Sequence, residues 1–176
     1  SRKSLRTVSV HPTQPHYFIT AGVDTNIAVW DLRSITPKSP KPVQLLEHHT
    51  KAISSAYFSP AGHKVLSCAA DDTILVYSVD NGMKLDLTKR IRHNNFTGRW
   101  LTKFQPNWHP TVDDVFVSGS MHRPRQIEVF NSDGDLLKAL SDEDFLGSVC
   151  SLNAFHPNRT CTLVGANSSG RLHVFM

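Results

Sequence analysis

Residues 89–103 hold five Lys or Arg side chains and no acid, with Phe96 and Trp100 set among them. That composition suits nucleic-acid contact. Ammonium and guanidinium groups neutralise phosphates, and an exposed ring stacks on bases or wedges between them. Arg92, Arg99 and Lys103 are the phosphate candidates, Phe96 and Trp100 the stacking candidates, and Thr97 belongs to the same set. Asn94, Asn95 and Gly98 are turn formers, which predicts Phe96 at an exposed tip. Trp100 borders the following strand, where sealing a seam inside the fold competes evenly with base contact.

A second basic cluster, residues 121–126, places Arg123 and Arg125 around Pro124. Lys51 and Arg171 complete the set of candidate phosphate contacts. Acids interrupt it: Glu47, Asp24, Asp71, Asp72 and the run 142–144. Asp24 and Asp71 each precede a strand-ending aromatic by six residues and read as structural turn residues, with His49 as the candidate partner of Asp71.

A third candidate is Trp30-Asp31-Leu32-Arg33. Trp30 and Asp31 close a strand, whereas Arg33 lies just past it, where a guanidinium offers a planar fork to a partner's carboxylate or carbonyl groups. Enzyme chemistry finds no footing. Of the 10 His, His11, His109 and His156 precede prolines at repeat positions, as does Ser59. A nucleophile elbow, a Gly-rich phosphate loop and zinc-ligand spacing are all missing, so no catalytic residue, metal site or cofactor is expected. Cys68, Cys150 and Cys161 sit in strand-like runs and read as reduced structural thiols.

The elements that must position these residues come from a repeat. Pro12, Pro60, Pro110 and Pro157 recur at intervals of 48, 50 and 47 residues, and each is followed 17 to 20 residues later by Trp30, Tyr77, Phe130 or Phe175. Each unit gives a strand ending at the proline, a second running into an Asp- or Gly-rich turn, and a third ending at the aromatic. A fourth, more variable strand follows, and helical periodicity is missing nearly everywhere. Four-stranded units of this period specify an all-β, WD40-type β-propeller. The expected blades are 5–46, 52–91, 100–140 and 148–176, within one domain spanning 1–176. The chain lacks an initiator Met and stops after a third strand. It is therefore expected to be the C-terminal four blades of a longer, seven-bladed ring. The Pro-rich stretch 34–42 reads as a stiff, exposed connection inside the first blade.

In such a blade the loops alternate between two faces. The connections after second and fourth strands form the top, which carries the stretch 89–103 and the loop 121–126. Those after first and third strands form the bottom, which carries Arg33. The formal charge of +4 and pI near 9.1 permit an acidic or nucleic-acid partner. No apolar run nears the ~20 residues of a membrane helix, so no membrane partner is expected.

Residues 18–33 resemble the box by which WD-repeat substrate receptors dock on damage-specific DNA-binding protein 1, the adaptor of cullin-4 ubiquitin ligases. Thr20 stands there where a smaller residue is usual. Residues 92–102, Trp108-His109-Pro110, 151–157 and 165–175 resemble the damage-specific DNA-binding branch of the WD-repeat family. The resemblance covers essentially the whole chain. It implies a nuclear propeller that binds damaged or modified double-stranded DNA with its top face, and serves as a cullin-4 receptor in the DNA damage response. It implies Trp30, Asp31 and Arg33 as adaptor contacts. In that branch a Phe-Gln-His hairpin inserts at lesions. Here only Phe96 is kept and the loop is longer, so lesion type does not carry over. The alternative is a non-enzymatic scaffold that binds chromatin proteins rather than DNA.

Overall fold

The computed structural model describes residues 4–36, 38 and 40–176, so Pro37 and Ser39 of the Pro-rich stretch lie outside the described residues. All regular elements among them are strands, arranged as four sheets. The first blade is β1 (Leu5–Val10), β2 (Tyr17–Gly22), β3 (Ile27–Asp31) and β4 (Gln44–Leu46). The second is β5 (Ile53–Phe58), β6 (Lys64–Ala69), β7 (Thr73–Val79) and β8 (Leu85–Arg92). The third is β9 (Asn107–Trp108), β10 (Val115–Gly119), β11 (Gln126–Asn131) and β12 (Leu136–Ser141). The fourth holds β13 (Cys150–Phe155), β14 (Leu163–Asn167) and β15 (Leu172–Phe175). Each sheet pairs its strands antiparallel in chain order, the meander of a propeller blade.

The core lies between blades. Successive side chains on a strand point to opposite faces, and β7 shows the result. Leu75 and Tyr77 join Ile19, Val29 and Ile53 in the seam with the first blade. Ile74 and Val76 join Phe104, Trp108 and Phe116 in the seam with the third. Each such buried side chain contributes about 1.5–3 kcal/mol. A third seam, between the last two blades, is built on Val117, Ile127, Cys150 and Leu163. Polar ties cross the seams as well. The Gln44 amide donates to Leu85 O and accepts from Leu85 N, both at 2.8 Å, and so acts as one rung of a ladder between blades. Asp113 accepts from Ser59 Oγ at 2.8 Å and from Ala61 N at 2.7 Å.

The third blade departs from expectation. Its inner strand is only two residues and begins at Asn107 rather than near 100. Pro106 has no amide to donate to a ladder, and residues 93–106 run irregularly along the seam. Side chains replace the missing rungs. Ser54 Oγ donates to Phe104 O at 2.7 Å, and Asn107 Nδ2 donates to Asn153 O at 2.8 Å.

The proline turns explain the recurrent His. His11 Nδ1 accepts from Gln14 N at 3.1 Å, and His156 Nδ1 accepts from Asn158 N and Arg159 N at 3.0 and 2.9 Å. Ser59 Oγ accepts from Lys64 N at 3.0 Å. These groups are occupied in closing turns. Burial pushes the thiols of Cys68 and Cys150 up to about 12 and about 11, which keeps them protonated and unreactive.

Candidate nucleic-acid interface

The connection from β8 to β9 is built by alternation. His93, Asn95 and Thr97 turn inward while Arg92, Asn94 and Phe96 turn outward. Asn95 is 5% exposed and Thr97 5%, and between them Phe96 stands 78% exposed. Asn95 is held from three sides. Its amide Nδ2 donates to Ala69 O at 2.8 Å and Thr73 O at 3.2 Å, and its backbone N donates to Asp72 Oδ1 at 2.9 Å. His93 N donates to Asp72 O at 3.0 Å. Asp72, at positive φ in the β6–β7 turn, therefore serves as a bracket for the aromatic loop. Gly98 (φ 68°) reverses the chain with open space around it. Trp100 is 91% exposed and seals no seam. That place is taken by Phe104, which is fully buried.

Thr97 is a correction. Its side chain faces the interior, so it supports the loop rather than forming contact surface. Lys103 is exposed, but its Nζ donates to Gly98 O at 2.9 Å and bridges the loop's two limbs. Arg92 and Arg99 are exposed, and neither guanidinium makes a hydrogen bond or ion pair with the described residues. Arg90, from the same basic stretch, is tied to His48 O at 3.1 Å. Lys51 is exposed in the β4–β5 connection.

The remaining basic candidates lie among acids. Arg125 is half-buried, and its Nη1 donates to Met121 O at 3.0 Å. With Arg123 it shares a depression with Asp142 and Glu143. Arg171 is exposed beside Asp142 and Phe145. Phe145 is an exposed ring that the sequence reading missed, although its place after an acidic turn was the available signal. The top is therefore two sectors, one basic around Phe96 and Trp100 and one of mixed charge around Phe145.

Two buried polar clusters sit under this face. In the second blade His49 Nδ1 lies 3.0 Å from Asp71 Oδ2 and its Nε2 lies 2.8 Å from Ser67 Oγ, while Asp71 accepts from Thr73 Oγ1 at 2.6 Å. This is the predicted His49–Asp71 pairing. Burial lowers the His49 pKa, and the bond to Asp71 opposes the shift without reversing it. Asp24 departs from the pattern, because its Oδ1 is buried without a partner. The other cluster was not foreseen. Glu128, on β11, is buried and accepts from Ser120 Oγ at 2.8 Å and Gln126 Nε2 at 2.7 Å, with His93 Nε2 at 3.5 Å.

On the opposite rim Trp30 Nε1 donates to Thr20 Oγ1 at 2.9 Å, so the Thr20 hydroxyl has a structural partner that a residue without a hydroxyl would lack. Asp31 is buried and accepts from Arg33 N at 2.9 Å. The Arg33 guanidinium also reaches Tyr17 OH at 3.1 Å, and its Nη1 has no partner among the described residues. The rim thus presents a guanidinium with one edge free.

The stacked four-stranded meanders, the seams between them and the proline-capped turns define a WD40-type β-propeller fold. The family model for the WD domain, G-beta repeat, matches residues 40–78. The chain is 48% identical over 175 residues to WD repeat-containing protein 76 of Xenopus laevis, covering 98% of this chain and 30% of that protein. It is 35% identical over 185 residues to the DNA damage-binding protein CMR1 of Chaetomium globosum, covering 96% of this chain and 34% of that protein. This chain thus spans about a third of the length of these relatives. The β-propeller domain of Cps50 (Swd1) from Myceliophthora thermophila shares the fold, with a TM-score of 0.76 at 12% identity over 99% of this chain and 54% of that one.

Proposed function

We propose that this chain is the DNA-contacting part of a nuclear WD-repeat protein that favours damaged or modified duplex. The observation that carries the reading is Phe96, exposed on a pedestal of buried neighbours and flanked by Arg92 and Arg99, whose guanidinium groups have no partners among the described residues. A ring held in that way wedges into a duplex at low ordering cost, because the loop is already fixed. Distorted duplex is favoured because its unstacking is partly done beforehand. Trp100 adds a second stacking surface, and Lys51, Arg92, Arg99 and Lys103 supply phosphate contacts. The name of the CMR1 relative, DNA damage-binding, supports the same reading.

The opposite rim, around Trp30, Asp31 and Arg33, docks on damage-specific DNA-binding protein 1, which makes the protein a substrate receptor of a cullin-4 ubiquitin ligase. The free edge of Arg33 supplies the polar contact. The test is binding of the full-length protein to plain, damaged and modified duplexes, with Phe96→Ala and Arg99→Ala beside it. Preference for altered duplex that Phe96→Ala removes supports the reading, and equal losses on all duplexes overturn the wedge. A second reading, a scaffold for chromatin proteins, rests on Phe145, an exposed ring in a sector of mixed charge that suits a protein surface better than a run of phosphates.

A further inference from the structure

Asn95 fixes the protonation of His93. Its amide nitrogen donates to two backbone carbonyls, Ala69 O and Thr73 O, which only accept. The other amide atom is therefore the oxygen, and it lies 2.7 Å from His93 Nδ1. An amide oxygen also only accepts, so the proton sits on Nδ1. The remaining ring nitrogen, Nε2, is buried without a hydrogen bond and faces Glu128 Oε2 at 3.5 Å. A neutral ring would aim a lone pair at a carboxylate there. A ring carrying both protons makes an ion pair instead. His49 differs, because its Nε2 meets the Ser67 hydroxyl, which can donate to a neutral ring.

We propose that His93 and Glu128 are a pair of positioning residues. As imidazolium and carboxylate they fasten the aromatic loop of the second blade to the third, and so hold Phe96 in its DNA-contacting position. The inference rests on the proposed DNA reading. His93 is two residues from Asn95, which directly precedes Phe96, and its ring packs edge-on against Phe104 and Phe130 at 5.5 and 6.2 Å. A shift at His93 therefore passes into the pedestal. Glu128 Oε1 is already engaged by Ser120 and Gln126, which leaves Oε2 for His93 alone. Burial favours the neutral acid, but the facing His93 ring and the hydrogen bonds from Gln126 and Ser120 outweigh it and hold the Glu128 carboxyl below its ordinary value.

The groups facing the pair are few. His122, on the β10–β11 loop, is exposed and lies 3.9 Å from Glu128 Oε1. Asp72 meets the His93 backbone from the β6–β7 turn, and Arg92 lies beside the ring at the mouth of the cleft. Without the Nε2 proton two acceptors would face each other across this gap, and the loop would loosen. At the acid end, protonation of Glu128 breaks the pair from the other side.

Glu128→Gln separates positioning from plain packing. The Gln oxygen still accepts from Ser120 and Gln126, and its new N–H donates to a neutral His93 Nε2. The full-length protein is measured against distorted and plain duplex from about pH 6 to about pH 9, which spans the ordinary His range. The wild type should lose preference for the distorted duplex on the order of tenfold across that range, and Glu128→Gln should lose little. His122→Asn should follow the wild type. The same pH slope in Glu128→Gln as in the wild type overturns the proposal. Hydrogen exchange of amides 95–100, corrected for intrinsic rate, is followed without DNA. There too, protection should fall with pH in the wild type and hold in Glu128→Gln. If exchange behaves so while no duplex is preferred at any pH, the DNA reading fails and the ion pair stands. If distorted duplex is preferred but both pH effects are absent, the positioning claim fails and the DNA reading stands.

Discussion

Asp31 and Arg33 form a two-pronged ion pair at the lower rim of the first blade, with Nε 3.0 Å from Oδ1 and Nη2 2.8 Å from Oδ2. The pair aims the guanidinium outward without consuming it. Arg33→Ala should reduce capture of damage-specific DNA-binding protein 1 by at least tenfold in co-purification while leaving the melting temperature within a few degrees, since the guanidinium is exposed and Asp31 keeps the backbone N–H of residue 33 as a donor. Arg33→Lys should not rescue it, because an ammonium lacks the fork. The hydrogen bonds from Arg33 hold the Asp31 carboxyl down to about 2. The pair is thus intact above the ordinary Asp value and is lost only as pH falls toward about 2.

Phe96 and Trp100 are exposed, so neither should matter for folding. Phe96→Ala is expected to leave thermal stability unchanged and to weaken binding to distorted duplex by about 5- to 150-fold, the usual worth of one stacked base. Arg99→Ala should act evenly on all duplexes and reduce the slope of log K against log salt by about 0.9. Fluorescence anisotropy at several salt concentrations checks both.

Asn95→Ala should cost about 2–4 kcal/mol, because it strands the His93 Nδ1 proton and two backbone carbonyls in a buried site. Denaturant titration measures the loss. The same variant should also weaken distorted-duplex binding although Asn95 itself is too buried to touch DNA.

Gly119→Ala tests the seam between the third and fourth blades. A Cβ there would run into Cys150 O and lie 2.6 Å from Phe104 Cε1. Both are fixed by packing, so about 3 kcal/mol or more should be lost. Wild-type stability in this variant would mean the seam is looser than described.

His49 sets an acid limit. Its folded-state pKa is lowered chiefly by burial, so the unfolded chain binds a proton first as pH falls. Its contribution is therefore full at neutral and alkaline pH and is lost as pH drops below about 6.5. Melting temperatures from about pH 8 to about pH 5 should fall more steeply in the wild type than in His49→Gln. His11, also lowered by burial, shares that sign and keeps part of the slope.

The repeat was legible because each of its markers serves the backbone. Proline ends a strand, His or Ser caps the turn, and an aromatic closes the third strand. Exposure of Phe96 was legible for the same kind of reason, since Asn94, Asn95 and Gly98 demand a turn. Other features depend on partners distant in the chain. The clipped β9 follows from Pro106 together with what Ser54 and Asn107 offer to the open backbone. Glu128 reads as an outward acid on a strand until His93 is found across the seam. The charges of Arg123 and Arg125 count toward a basic face until Asp142 and Glu143 are set beside them. Trp100 looked fit to fill a seam that Phe104, four residues on, already fills.

The second blade is sheathed on both sides, with Leu75 and Tyr77 turned one way and Ile74 and Val76 the other. The proposed adaptor rim belongs to the first blade, and Phe96 stands at the junction of the second and third. In an array of stacked units free energy passes between nearest neighbours, so within these four blades the direct route between the two surfaces runs through this one sheet. A cavity made at Leu75 would be felt first at the adaptor side and one at Ile74 first at the DNA side. The alternation of a single seven-residue strand thereby divides one molecule into two separately tunable halves.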